Sequence, residues 1–356
     1  MLHDETSLSY RPTYTRDQLA LYVSCIAPAP SYTLATLEAE IKADPLAALS
    51  RLQLRQMAFN PWGNVALHYS WHRALSLDSE ALFHKIVERR LGGYCMENNA
   101  FFSTILRSLG YQLYVTGARI SNALTEGANP HGFAGWQHEV IIVTIDGQKY
   151  LADVGFGSQP LIDAIPLIRS TSPAHPEAKI YPSVPGAECR LVYRSIAPNT
   201  DPSQRLWVFE TRNTSKPEWA AGYCFSELEW LPGDFEIINY RTSQDPTSWF
   251  THRLVLAKIS VDEGTRTRPT GTIVLNGEKI ERRLAKEYGG TGGKEVVVDA
   301  KSEKERIMGL RTWFGIVLMP EEERGIRRQL RPNWTFAYPT IVEWVVLGQN
   351  GNSSGM

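Results

Sequence analysis

The chain is short of cysteine. Only Cys25, Cys95, Cys189 and Cys224 occur in 356 residues, widely scattered and without a C-x-x-C pair. That spacing argues against a disulfide framework and against a structural zinc site. Charge of one sign is also lacking: 37 basic residues face 38 acidic ones, for a formal net charge of −1. No basic run therefore advertises nucleic acid or an anionic membrane surface. No apolar run approaches the roughly 20 residues that cross a bilayer. The first residues, Met1-Leu2-His3-Asp4-Glu5, carry no basic-then-apolar signal, so the sequons at Asn213, Asn333 and Asn352 are discounted. Together these absences predict a soluble, cytoplasmic protein in a reducing compartment, with no nucleic-acid or membrane partner.

What is present is ordinary globular material, 43% hydrophobic and 21% charged, long enough for two or three domains around a substantial core. The first section, residues 1–110, reads as helical. Thr15-Arg16-Asp17-Gln18 begins a helix that runs to Cys25 and is broken by Ala27-Pro28-Ala29-Pro30, and further helices are expected at 33–43, 45–56 and 79–89. Period-2 patterning marks the second section, 111–234, with strands at 111–120, 138–145, 148–154, 206–212 and 224–230. A Pro- and Ser-rich stretch near 166–202 reads as an irregular excursion. The third section, 235–356, suggests strands at 254–259, 272–275 and 296–298, a helix at 302–314 and a fraying polar tail after Gly348. The class is α+β.

One stretch organises the rest: Gly92-Gly93-Tyr94-Cys95-Met96-Glu97-Asn98-Asn99. Two glycines permit a tight turn. Behind them Phe101, Phe102, Ile105, Leu106 and Leu109 recur at helical spacing, with Gly110 at the expected C-cap. Cys95 is thus expected at a helix N-terminus, where free N–H groups and the helix dipole favour a thiolate nucleophile. The competing reading is that Cys95 is packing material, since free cysteine is among the most buried residue types.

Asp146-Gly147 is a strong signal for a two-residue hairpin turn. With Ile145 facing Gln148, facing residue numbers sum to 293, so Val140 faces Asp153. Asp153 is then the diagonal neighbour of His138 on one face, about 7–8 Å away between Cβ atoms. A slip of one residue would separate them. A carboxylate holding one imidazole nitrogen leaves the other free to take a thiol proton. Whether Cys95 reaches the pair is not visible in spacing.

Taken with His138-Glu139-Val140, Tyr150-Leu151-Ala152-Asp153-Val154-Gly155-Phe156-Gly157, and Asn239-Tyr240-Arg241-Thr242-Ser243 running into Pro246-Thr247-Ser248-Trp249-Phe250, the cysteine stretch resembles the arylamine N-acetyltransferases, in order and spacing, over most of the chain. The resemblance implies an N-terminal helical bundle, a central β-barrel and a C-terminal α/β lid on a cysteine-proteinase-like core. It implies Cys95, His138 and Asp153 as a catalytic triad, acetyl-CoA as donor and no metal. Arylamines or arylhydrazines would be the acceptors, in xenobiotic detoxification. By motif position Gly135, Thr247 and Ser248 are candidate CoA contacts, and Phe156 lines the acceptor pocket. The excursion at 166–202 resembles the interdomain insertion of eukaryotic members. One departure stands out: members usually carry arginine directly before the two glycines, and here that place is Leu91.

Three other readings stay open at this level. Papain-like proteases and transglutaminases order Cys, His and Asp or Asn alike, so hydrolysis is a rival. A non-catalytic binding module could keep the same fold, and some family members take acyl-CoA donors larger than acetyl. Gly289-Gly290-Thr291-Gly292-Gly293-Lys294 imitates a phosphate loop but has Tyr288 and Glu295 where that motif needs Gly and Ser or Thr, and reads as a turn. Metal binding by Cys95 and His138 finds no second ligand pair.

Overall fold

Helix starts in the N-terminal third are written into the local sequence. In the computed structural model, which describes residues 11–124, 132–169 and 178–325, α1 (Arg16–Ile26) opens on a reciprocal box between Thr15 and Gln18. Thr33 and Asp44 cap α2 (Leu34–Ala43) and α3 (Pro45–Phe59), the latter with Pro45 in its first turn. A two-residue strand β1 (Trp62–Gly63) and a single turn α4 (Val65–His68) follow. Next, α5 (Ser79–Phe83) passes into a π-helical turn at His84–Glu88. The chain then enters α6 (Cys95–Ser108). The apolar faces meet in one core that includes Tyr22, Leu49, Leu52, Ile86, Phe101 and Ile105.

The middle of the chain forms an eight-stranded, nearly closed antiparallel sheet. Its strands are β2 (Gln112–Ser121), β3 (Phe133–Ile145), β4 (Gln148–Ala152), β5 (Ile165–Pro166), β6 (Ile180–Pro182), β7 (Ala187–Arg194), β8 (Leu206–Asn213) and β9 (Ala220–Phe225). Their spatial order is β5-β4-β3-β2-β9-β8-β7-β6, around Val140, Ile142, Trp207, Phe209, Tyr223 and Phe225. Helix α7 (Pro232–Gln244) leads to a second sheet, in which β10 (Val255–Val261), β11 (Pro269–Asn276), β12 (Lys279–Leu284) and β13 (Lys294–Asp299) stand beside β1. The short helices α8 (Glu303–Gly309) and α9 (Pro320–Gly325) complete the described chain.

The hairpin register is the expected one, with Ile145 opposite Gln148 and Ile141 opposite Ala152. Asp146 (φ 50°) and Gly147 (φ 78°) supply the two positive φ angles of a type I′ turn.

Elsewhere the outcome differs from the sequence reading, for identifiable reasons. The excursion contains a full strand, β7, whose polar face is built from cross-strand ion pairs, Arg190–Glu210 and Arg212–Glu188, with both guanidiniums stacked on Trp219. Charge that pairs across strands hides the period-2 signal. Strand β9 ends at Phe225 instead of running to Trp230. There the chain turns away, and Trp230 lies where a Cβ on Gly117 would stand 2.4 Å from its ring. The third section begins with α7, missed because its N-cap is Leu231, whose N–H is taken by Asp234 at 2.8 Å. Strand β12 carries little apolar signal beyond buried Ile280, its arginine Arg282 being paired with Glu295. The loop at Phe59–Asn64 joins the C-terminal sheet, Trp62 opposite Ala257. Gly289 and Gly292, both at positive φ, lie in the connection between β12 and β13. The tail after Gly348 lies outside the described residues.

His68 ties α4 to the segment after α7: its Nε2–H donates to the Phe250 carbonyl at 3.0 Å beside Asn64. Burial, ahead of nearby arginines, lowers its pKa from 6.5 to about 4. Above pH 6.5 the ring is neutral in both states. Between pH 6.5 and 4 the unfolded chain takes up a proton that the folded one refuses, so acidification through that window should cost up to about 3 kcal/mol of stability. Urea unfolding followed against pH checks this, and His68→Gln, which keeps a donor for the carbonyl, should flatten the slope.

Candidate active site

Helix α6 and the end of the β3–β4 hairpin meet closely enough that one side chain is forbidden. A Cβ on Gly155 would stand 2.7 Å from the Cys95 carbonyl oxygen and 2.8 Å from the Cys95 Cα. Glycine at that place lets the strand end lie directly on the first turn of the helix. Gly92, at φ 71° and with its Cβ position 2.5 Å from the Pro61 oxygen, makes the matching tight approach before the helix.

Buried Asp153 is the centre of the contact. His138 donates from Nε2 to Oδ2 at 2.8 Å, Asn99 donates from Nδ2 to Oδ1 at 2.9 Å, and the Gly155 N–H donates to Oδ1 at 2.7 Å. Asn99 stands four residues after Cys95, on the same helix face. Its side-chain oxygen accepts from Val154 N at 3.0 Å, and its amide also donates to the Glu139 carbonyl at 2.5 Å. Gln53 of α3 accepts the Asp153 N–H at 3.0 Å and donates to Leu161 at 2.7 Å. Side chains of α6 and α3 thus hold the hairpin end. The expected His138–Asp153 pair is present, and it commits Nε2, leaving Nδ1 as the nitrogen able to accept a proton. Phe156 and Tyr223 pack on the His138 ring, with centroids at 5.6 and 5.1 Å.

Cys95 is the first residue of α6, as expected, but it is buried, and burial outweighs the helix terminus. Desolvation pushes its thiol far above the ordinary range, with Asp153 and Glu139 adding to the effect and the Met96 N–H opposing it. The expectation of a resting thiolate is corrected accordingly: the S–H donates to the Gln137 carbonyl at 3.7 Å. That carbonyl belongs to a β-bulge. Ala118 faces His138 and Arg119 faces Trp136, so Gln137 is the extra residue on β3. Glu139 is also buried, and its Oε2 has no hydrogen-bond partner among the described residues. Burial, and then the Asp153 carboxylate, hold its carboxyl well above the usual range.

The remaining candidates fall around this centre. Gly135 is exposed on β3, with an Arg241 nitrogen 3.9 Å from its Cβ position. Thr247 and Ser248 follow α7, and their hydroxyls are engaged locally: Thr247 donates to Asp245 at 2.7 Å and Ser248 to the Thr242 carbonyl at 2.6 Å. Phe250, just beyond them, packs on Tyr94 with centroids 5.6 Å apart. Sequence reasoning missed Asn99, Gln53 and Glu139. A polar side chain four residues beyond Cys95 in an apolar helix was the one available signal, and it pointed to Asn99.

A family model described as N-acetyltransferase matches residues 45–323. The chain belongs to the arylamine N-acetyltransferase family. An N-malonyltransferase, FDB2, of Fusarium pseudograminearum is 30% identical over 334 residues, covering 90% of this chain and 94% of that one. Among solved structures, the arylamine N-acetyltransferase of Mycobacterium abscessus is similar at a TM-score of 0.65 and 21% identity, covering 89% of this chain and 97% of that one. The Mycobacterium marinum enzyme, solved in complex with CoA, gives 0.64 and 23%, covering 87% and 99%. The expected α+β architecture of helices and a barrel-like sheet is the fold these enzymes share.

Within this family pattern the departure at Leu91 has a physical account. Leu91 packs into the apolar cluster of Val65, Tyr69 and Leu256. An ion pair supports the start of α6: the Lys85 ammonium meets the buried Glu97 carboxylate at 2.5 Å. Glu97 also accepts the Tyr94 N–H at 3.1 Å, closing the first turn of α6. Lys85→Met strands that carboxylate and should destabilise the fold by about 3–5 kcal/mol, whereas adding Glu97→Gln should restore part of the loss. Urea unfolding of the two singles and the double measures the coupling.

Proposed function

We propose that the chain transfers an acyl group from an acyl-CoA to an amine through a thioester on Cys95. What carries the reading is that Asn99, on the helix that bears Cys95, and His138 hold the same Asp153 carboxylate. Nδ1 of His138 takes the S–H proton as the sulfur attacks the donor carbonyl, so the thiolate exists as one half of a Cys95–His138 ion pair. The S–C bond to the enzyme forms, the bond to CoA breaks, and the imidazolium returns its proton to the leaving CoA thiolate. The amine then attacks the enzyme thioester and loses a proton to His138, and Cys95 is released. Backbone N–H groups in the first turn of α6 are the proposed donors to the oxyanion. Thiol-for-thioester exchange is nearly balanced, so the work lies in activation and positioning.

The donor is either acetyl-CoA, as the family resemblance implies, or malonyl-CoA, as the activity of the Fusarium relative suggests, and the latter is favoured by the extent of that match. Gly135, Thr247 and Ser248 are the proposed CoA contacts. An aromatic amine is the proposed acceptor, with Phe156 against it, and no metal takes part. Incubation with single acyl-CoAs should leave a mass adduct on Cys95, discharged by an aromatic amine. Cys95→Ser should leave none, and His138→Ala should slow acylation by ~10²–10⁴-fold. A Cys95→Ser protein that still transferred acyl groups at the parent rate would end the proposal.

A further inference from the structure

Two guanidiniums lie against the stretch of β3 that leads to the Cys95 contact. Arg119 lies flat over the Trp136 ring, 4.2 Å from its centroid, and Nη1 donates to the Ala134 carbonyl at 3.4 Å. Arg241 of α7 brings Nη1 to 3.9 Å from the Cβ position of Gly135, with no other heavy atom of the described residues, chain neighbours aside, within 4 Å of that position. The two arginines therefore flank one short piece of β3, Ala134–Trp136, immediately before the Gln137 carbonyl that accepts the Cys95 S–H.

They are held differently. Arg119 is anchored by its ring and carbonyl. Arg241 is 66% exposed, and its ion pair among the described residues is a long one, 3.7 Å to Asp245. Asp245 is itself occupied by Thr247, which donates to it from N at 2.8 Å and from Oγ1 at 2.7 Å. The guanidinium is thus placed but weakly committed, with several donors left for a planar anion.

Distance and charge say which anion. In a donor whose acyl group ends in a carboxylate one carbon beyond the thioester, a guanidinium bound to that carboxylate sits on the order of 7 Å from the attacking sulfur. Gly135, beside Arg241, and Gln137, whose carbonyl accepts the Cys95 S–H, are only two residues apart on β3. A free carboxylate entering this site also approaches buried Asp153, and needs a cation of its own. An acetyl group brings no charge and makes no such demand.

Building on the acyl-CoA reading above, we propose that Arg241 is a specificity residue that binds the free carboxylate of a malonyl-type donor as its thioester reaches Cys95. The same cation could instead meet a phosphate of CoA, which every donor shares, so the test compares two donors.

The second-order rate of Cys95 acylation is measured by intact-protein mass spectrometry with malonyl-CoA and with acetyl-CoA, for the parent, Arg241→Gln and Arg241→Lys. Loss of one charge-assisted contact predicts a fall of about 10- to 100-fold with malonyl-CoA in the Gln variant, part of it recovered by Lys. Acetyl-CoA should stay within about twofold. An equal fall with both donors assigns Arg241 to the shared CoA moiety or to the fold and overturns the proposal. No change with malonyl-CoA overturns it as well, as does a parent protein that takes acetyl-CoA and refuses malonyl-CoA. A parent acylated by neither donor overturns the transferase reading itself.

Discussion

One carboxylate, Asp153, holds the working end of this molecule together. It sits at the end of a hairpin and accepts from an imidazole on the neighbouring strand, from an asparagine on the cysteine's helix and from a backbone N–H two residues on. Removed from water, a carboxylate needs such donors, and these come from separate parts of the chain. Satisfying it therefore orients His138, seats α6 against the hairpin and sets where Cys95 stands. Gly155 is the steric half of the constraint, since any larger residue there would push strand and helix apart.

Around that centre the protein accepts electrostatic costs and confines them. Burial pushes the Cys95 thiol and the Glu139 carboxyl up, and the Asp153 carboxylate raises both further. A resting thiolate is thereby disfavoured, and in the proposed transfer the sulfur becomes nucleophilic as its proton passes to the imidazole. Such an arrangement suits an enzyme that must meet a thioester without exposing a reactive sulfur to every electrophile in solution. Glu97, on α6 itself, is held differently. Its buried carboxyl meets the Lys85 ammonium and closes the first turn of the helix.

Much of this could be read in the chain. The Asp146-Gly147 turn sets a register, the register puts His138 and Asp153 on one face, and the glycines before Cys95 announce a turn into a helix. Local rules reach that far because turn type, strand period and caps act over a few residues. The strands β7 and β12 escaped because their outward faces are made of charges that pair only across strands, and α7 escaped because its cap is not a capping residue. Asn99, Gln53 and Lys85 look in sequence like any polar residues on helices, and their roles depend on partners far along the chain.

Sequence by itself determined the class of the fold, the hairpin that joins an imidazole to a carboxylate, and the family to which the motifs point. Tertiary structure alone decided that the sulfur is buried, that Lys85 meets Glu97 beneath the cysteine's helix, and that Arg241 comes to lie beside Gly135. The reason is physical. Turns and periodicity are set by backbone sterics and hydrogen bonds between near neighbours, whereas the charge state of a group depends on water being excluded and on which distant side chains close around it.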